Sequence, residues 1–319
     1  MQKIYSKGYN GWSQLAILLV LVGGGILIGG LMAILVWKMM TGASILHLET
    51  DMLNPAYATA SQTVQVVSSI FTLLIPVVCY AFICYRNGWA FLGFKEKLNP
   101  KHLLIILLLF MCSFPLMAAL EEINKIIPLP VATRARFDTM EKKYNEQVLA
   151  MIQLKTWGQY IVSLFVIALV PALSEELIFR GGLQNMLTKW LRLPWVSILI
   201  TSLIFSAIHL SWYGFFVRFT LGALLGVIFH YTKNIWLNIL LHFINNAVVV
   251  TSLFFMGKRG EKMDMTTQAH LPIWVGGIAL ILVITLVKWL IETSSPIYTD
   301  DVILAQDSDN PFEENDLIR

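Results

Sequence analysis

Charge is scarce in these 319 residues: Asp, Glu, Lys and Arg together supply 13%, about half the ~25% usual in a soluble domain. Set beside 57% apolar residues, that shortage excludes an ordinary soluble globule and a disordered chain alike. Cysteine is scarce too. The three present, Cys79, Cys84 and Cys112, are an odd number and lie in apolar runs, which excludes a disulfide scaffold and leaves them as small core hydrophobes. No basic cluster is interleaved with exposed aromatics, so no nucleic-acid partner is expected. No internal repeat is visible, which counts against the matched halves of many transporters.

What is abundant is uninterrupted apolar sequence. Stretches without Asp, Glu, Lys or Arg run over 8–37, 52–85, 102–120, 156–174, 193–217, 234–257 and 265–287. Each is long enough for a bilayer helix, which needs about 20 residues. An eighth, 213–232, is broken only by Arg218, whose stem can snorkel or whose head can face a polar cavity. The expectation is an all-α, polytopic membrane protein of about eight transmembrane helices in contact with lipid, multi-pass in a bacterial cytoplasmic membrane. From Glu292 onward eight acids stand against Arg319, a net −7, while the first 291 residues carry +10. The chain therefore divides into a membrane-embedded part, 1–293, and an acidic, disordered tail, 294–319. With the amino terminus inside, the loop cations split evenly between the two sides, but six of the outer ones lie between Glu121 and Lys155. Discounting that segment, the other loops favour an inner amino terminus by 10 to 4. The same segment carries Phe137, Met140, Tyr144, Val148 and Met151 at helical steps, which reads as an interfacial helix over 137–155, or else as a gate.

Charges recur where lipid is expected. The fourth span runs into Ser174-Glu175-Glu176-Leu177-Ile178-Phe179-Arg180, and a mid-bilayer charge costs about 2.5–3.5 kcal/mol. If the helix continues, Glu176 and Arg180 are four apart and pair, leaving the other carboxylate free for chemistry. If it stops at Ser174, these are loop charges. Glu121 and Glu122 also follow an apolar run, with Lys125 nearby, and read as a membrane-boundary pair. Two later spans add imidazoles. Phe205 precedes His209 by one turn, so its ring can pack on the imidazole. His242 precedes Asn246 by one turn, a stack able to donate hydrogen bonds to one oxyanion. A lone intramembrane histidine more often bonds a neighbouring helix. Asn238, one turn before His242, is placed to orient it; Asn245 reads as packing, and His230, beside Tyr231 and Lys233, as an interface residue.

Missing motifs narrow the chemistry. There is no H-E-x-x-H, no aspartate inside any of the spans and no G-x-S-G, which removes the usual zinc, two-aspartate and serine intramembrane proteases. What remains is a carboxylate with histidines.

In this respect the chain resembles the CAAX prenyl protease and bacteriocin-processing intramembrane proteases (CPBP, or Abi), which include the Ras- and a-factor-converting enzyme. The family's E-E-x-x-x-R is matched by Glu175, Glu176 and Arg180, its F-x-x-x-H by Phe205 and His209, and its H-x-x-x-N by His242 and Asn246, in order. The resemblance implies an eight-span fold around a conical, water-filled cavity and hydrolysis of a peptide or protein substrate. It further implies that Glu175 and His209 activate water, that His242 and Asn246 form an oxyanion hole, and that Glu176, Arg180 and Phe205 support the site. The residues alone do not choose between Glu175 and Glu176 as the base. Glu175, His209 and His242 also make a two-histidine, one-carboxylate zinc set; a cofactor-free mechanism is preferred because Asn246 lies one turn from His242 to share anion binding. Competing readings are a proton-coupled transporter or channel using the same groups as a relay, and a non-catalytic scaffold acting through its acidic tail.

Overall fold

The computed structural model describes residues 6–94, 97–152, 154–261 and 271–308, with side chains as far as residue 294. It is all-α. In chain order the principal helices are α1 (Gly11–Thr41), α2 (Pro55–Cys84), α3 (Pro100–Ile126), α4 (Val131–Met151), α5 (Trp157–Leu191), α6 (Pro194–Ala207), α7 (Phe215–Thr232), α8 (Ile235–Lys258) and α9 (Ile273–Ser308). Seven of them, α4 and α6 excepted, are long and apolar enough to cross a membrane. The chain is an integral, multi-pass membrane protein.

Helices occupy all eight expected places, but the fifth falls short. Helix α6 has 14 residues, about 21 Å at 1.5 Å per residue against a hydrocarbon core of about 30 Å. It stops because the backbone turns: Leu210 adopts φ 51°, and Ser206 Oγ donates to the Phe215 carbonyl at 2.7 Å, tying the end of α6 to the start of α7. Irregular backbone at membrane depth is tolerated where protein surrounds it. Residues 265–270 of the expected last span, 309–319 of the expected tail and the side chains from residue 295 on lie outside the described residues.

Helices α5 and α7 form the centre, with 50% and 56% of their most apolar windows buried, while α1 and α9 are peripheral at 17% and 22%. Helix α9 lies along α3, α6 along α7, and α8 packs on α5. Helix α5 opens with a reciprocal cap between Thr156 and Gln159 and runs through Glu175–Arg180 without a break. The reading in which these charges belong to a loop is therefore set aside. Its turns widen to π-helical over Leu164–Leu169, just before Pro171, and again over Leu177–Gln184. Such widening absorbs the hydrogen bond a proline cannot make and recurs at functional sites.

Candidate active site

Helices α5 and α6 are antiparallel neighbours joined at Arg192–Leu193, so residues equidistant from that turn meet. Glu175 lies 16 residues before Leu191, and His209 lies 15 beyond Pro194. His209 sits in the turn that ends α6. Its Nδ1 donates to the Phe205 carbonyl at 2.6 Å, and the two rings meet edge-on, their centroids 5.0 Å apart. From α8, His242 donates through Nδ1 to Glu176 Oε1 at 2.8 Å.

Both imidazoles therefore turn Nε2 towards the same atom. Glu175 Oε2 stands 4.0 Å from His209 Nε2 and 3.8 Å from His242 Nε2. A neutral imidazole whose Nδ1 carries the proton offers a lone pair at Nε2. An ionised Glu175 and such a ring at His209 make two acceptors aimed at a shared donor, with His242 Nε2 beside them. The side chains of Glu175 and His209 are 17% and 23% exposed and that of His242 is 4% exposed, so two of the three are reached from outside the bundle.

Glu176 has the opposite environment. Its side chain is fully buried, with Oε1 accepting from Arg180 Nη1 at 2.9 Å as well as from His242, and Oε2 accepting from Asn238 Nδ2 at 3.2 Å. Arg180 donates further, from Nη2 to the Gly222 carbonyl at 3.2 Å. That carbonyl is within reach because Gly222 lets α7 approach α6: a Cβ there would stand 3.2 Å from Ser202 Cα. The guanidinium carbon also lies 4.7 Å from the Phe205 ring centroid, within the range of a cation–π contact. Phe205, 2% exposed, thus touches Arg180, His209 and, with centroids 5.9 Å apart, His242.

Glu175, His209 and His242 are brought together, with Glu176, Arg180 and Phe205 behind them. Asn246 is half-buried one helical turn beyond His242 on α8; its Oδ1 accepts from Asn245 Nδ2 at 3.4 Å. Asn245 therefore has a polar contact where packing was expected. Asn238 does not bond His242 directly but acts through Glu176 and the Leu225 carbonyl. His230 lies at the end of α7 as expected, yet is buried beside Tyr231. Glu121 and Glu122 both bridge Lys125 at the end of α3, at 2.9 and 3.0 Å.

One contact escaped the sequence reading. Helix α4 docks on the turn that carries His209: Ser211 Oγ donates to Glu141 Oε2 at 2.7 Å, Tyr213 donates to Asp138, and Phe137 stacks on Trp212 with centroids 5.3 Å apart. The apolar stripe of α4 pointed to Phe137, but nothing in its periodicity marked Asp138 and Glu141.

For zinc the donor set fits poorly as placed. Two ligands of a tetrahedral zinc at about 2.0–2.1 Å stand about 3.3 Å apart, less than the separations from Glu175 Oε2. Among the described residues no group of three His, Cys, Asp or Glu side chains is disposed to hold a metal.

The described geometry falls within a recognisable stretch of sequence. Residues 157–248, from the start of α5 past Asn246, match the family model for the type II CAAX prenyl endopeptidase Rce1-like proteins. This Rce1-like segment holds all seven residues named above for the site and its support. The uncharacterized protein YpbD of Bacillus subtilis is 31% identical over 108 residues, 33% of this chain and 52% of that protein; the match spans about half the length of that relative. No solved structure matches the chain significantly.

Proposed function

We propose that the protein is an intramembrane endopeptidase of the CAAX-protease type, in which Glu175 and His209 activate water and His242 with Asn246 binds the oxyanion. The observation that carries this reading is the convergence of Glu175 Oε2 and two imidazole Nε2 atoms at 3.8 and 4.0 Å, each ring held by its own Nδ1. A water about 2.8 Å from Glu175 Oε2 and His209 Nε2 offers its two hydrogens to them and keeps a lone pair for a peptide carbonyl. As the C–O bond forms, its proton passes to Glu175 or His209, and the carbonyl oxygen becomes an oxyanion. For His242 to donate to that oxyanion through Nε2 while Nδ1 still donates to Glu176, the ring must hold two protons. Glu176 supplies the counter-charge, and the Asn246 NH2 is the second donor. Collapse of the tetrahedral intermediate breaks the C–N bond, and the proton held at the cluster passes to the leaving amine.

The test compares peptides released by membranes carrying the intact protein, Glu175→Ala and His209→Ala. Both substitutions are expected to lower formation of the same cleavage products roughly a hundred- to ten-thousand-fold, with the protein still inserted. Unchanged products would overturn the reading. Ion flux that survives without proteolysis would favour the relay instead.

A further inference from the structure

Beside this cluster stands a cation that the proposed chemistry does not use. Arg218 interrupts an otherwise uncharged span, and it does not snorkel freely to water: its Nη1 is buried with no hydrogen-bond acceptor in reach. The guanidinium folds back on Gly214, where any Cβ would collide with Nη1, and it lies 5.9 Å from the Tyr144 ring centroid of α4. The nearby acid of α4, Glu141, is engaged by Ser211. Arg180, by contrast, has Glu176 and the Gly222 carbonyl. Arg218 lies in the first turn of α7, nine residues after His209 and directly beyond the turn that carries it. A guanidinium held in a low-dielectric setting with a free N–H matches the two oxygens of a carboxylate.

We infer that Arg218 forms an anion-binding subsite on the His209 side of the cleavage site, taking a carboxylate of the peptide substrate, either its terminal α-carboxylate or an Asp or Glu side chain. The inference rests on the endopeptidase reading. Gly214 belongs to the same device, because its missing side chain is the space the guanidinium occupies.

The test uses the full chain in lipid nanodiscs with three internally quenched, randomised decapeptide pools. One is a free acid without Asp or Glu, one is the same pool as a C-terminal amide, and one is an amide that includes Asp and Glu. Arg218→Gln is expected to raise KM for a carboxylate-bearing pool by about tenfold or more, leaving kcat within about twofold and the neutral amide pool unchanged. Arg218→Lys is expected to lose less, since it keeps the charge without the fork, and Gly214→Ala to move KM in the same direction by displacing the guanidinium. An effect confined to the free acid assigns the α-carboxylate, and one confined to the acidic amide assigns a side chain. The same pools are titrated by fluorescence anisotropy against Glu175→Gln with and without Arg218→Gln. Binding that prefers carboxylates through Arg218 without cleavage by any variant would keep the subsite and remove the peptidase reading. Cleavage whose KM ignores Arg218 would do the reverse. Equal affinity for acid and neutral pools overturns the subsite outright.

Discussion

Two adjacent carboxylates in one helix have separate fates here, and the difference is testable residue by residue. Glu176 is buried with every strong partner it can use, so its removal strands the equally buried Arg180. Breaking one side of such a pair costs about 3–5 kcal/mol. Glu176→Ala is therefore expected to lower the unfolding midpoint in detergent sharply and to lose activity through folding. Glu175→Gln, with its partly exposed side chain, is expected to unfold like the parent and to lose cleavage alone; equal midpoints for the two variants would refute the division. The two glutamates were visible in the sequence as charges too costly to leave in lipid, and the Glu176–Arg180 pairing followed from their spacing. Which one faced both Nε2 atoms did not follow, because adjacent residues on a helix point about 100° apart and only the neighbouring helices say what lies in each direction. The metal question belongs to the same scale. With the donors too far apart for a tetrahedral ion as placed, cleavage is expected to persist after exhaustive dialysis against chelator, with less zinc than protein by elemental analysis. Loss of activity restored by added zinc would instead assign Glu175, His209 and His242 as ligands.

At the scale of elements, the short α6 matters most. A full-length helix would carry His209 in its interior, whereas the turn after Ala207 places the imidazole on a loop that α4 then clamps. Charge-free length was legible and predicted a span over 193–217; the stop was not, since it depends on Leu210 at φ 51° and on Ser206 holding Phe215. A helix was legible here from its stripe, but its polar bonds to Ser211 and Tyr213 join residues some 70 apart. That docking has a pH signature. Tyr213 lies outside the membrane-spanning helices, and its hydrogen bond to Asp138 raises the phenol above its ordinary value near 10. A raised pKa means the bond contributes fully below about pH 10 and is lost as pH rises through the folded value. Trypsin cleavage within α4, which carries Arg134, Arg136, Lys142 and Lys143, is expected to accelerate over that alkaline range in the parent. In Tyr213→Phe it is expected to start higher and to lose the pH step. Phe137→Ala, which removes an aromatic stack worth about 0.5–1.5 kcal/mol, is expected to raise the cleavage rate roughly two- to tenfold at pH 8. Rates that match the parent in both variants would mean that α4 is held elsewhere.

Across the whole molecule, the contacts between loops sort into two ends. At one end, Lys143 of α4 bonds Glu49 from the α1–α2 connection, Lys258 at the end of α8 bonds the Lys155 carbonyl, and Glu141 takes Ser211. At the other, Lys7 and the Cys84 carbonyl, Gly93 and Ile235, and Phe91 and Asn185 are joined. That partition holds only if α6, short as it is, reverses the chain as a full span does, so that α1 enters and α9 leaves at the same face. The second end carries Arg86, Lys97, Lys101, Lys189, Arg192 and Lys233, and a cytoplasmic excess of such residues sets orientation. Helix α4, lying across the first end, contributes cations that are not spread through short loops and weigh little. In a background with Cys79, Cys84 and Cys112 replaced, single cysteines at the exposed positions Glu49, Lys142 and Arg259 are expected to react with a membrane-impermeant maleimide from outside intact cells. Cysteines at Arg86 and Lys101 are expected to react only after the membrane is opened. A cysteine at Arg259 reacting from the side opposite to those at Glu49 and Lys142 would show that α6 does not cross. It would also separate His209 from the face on which α4 meets it.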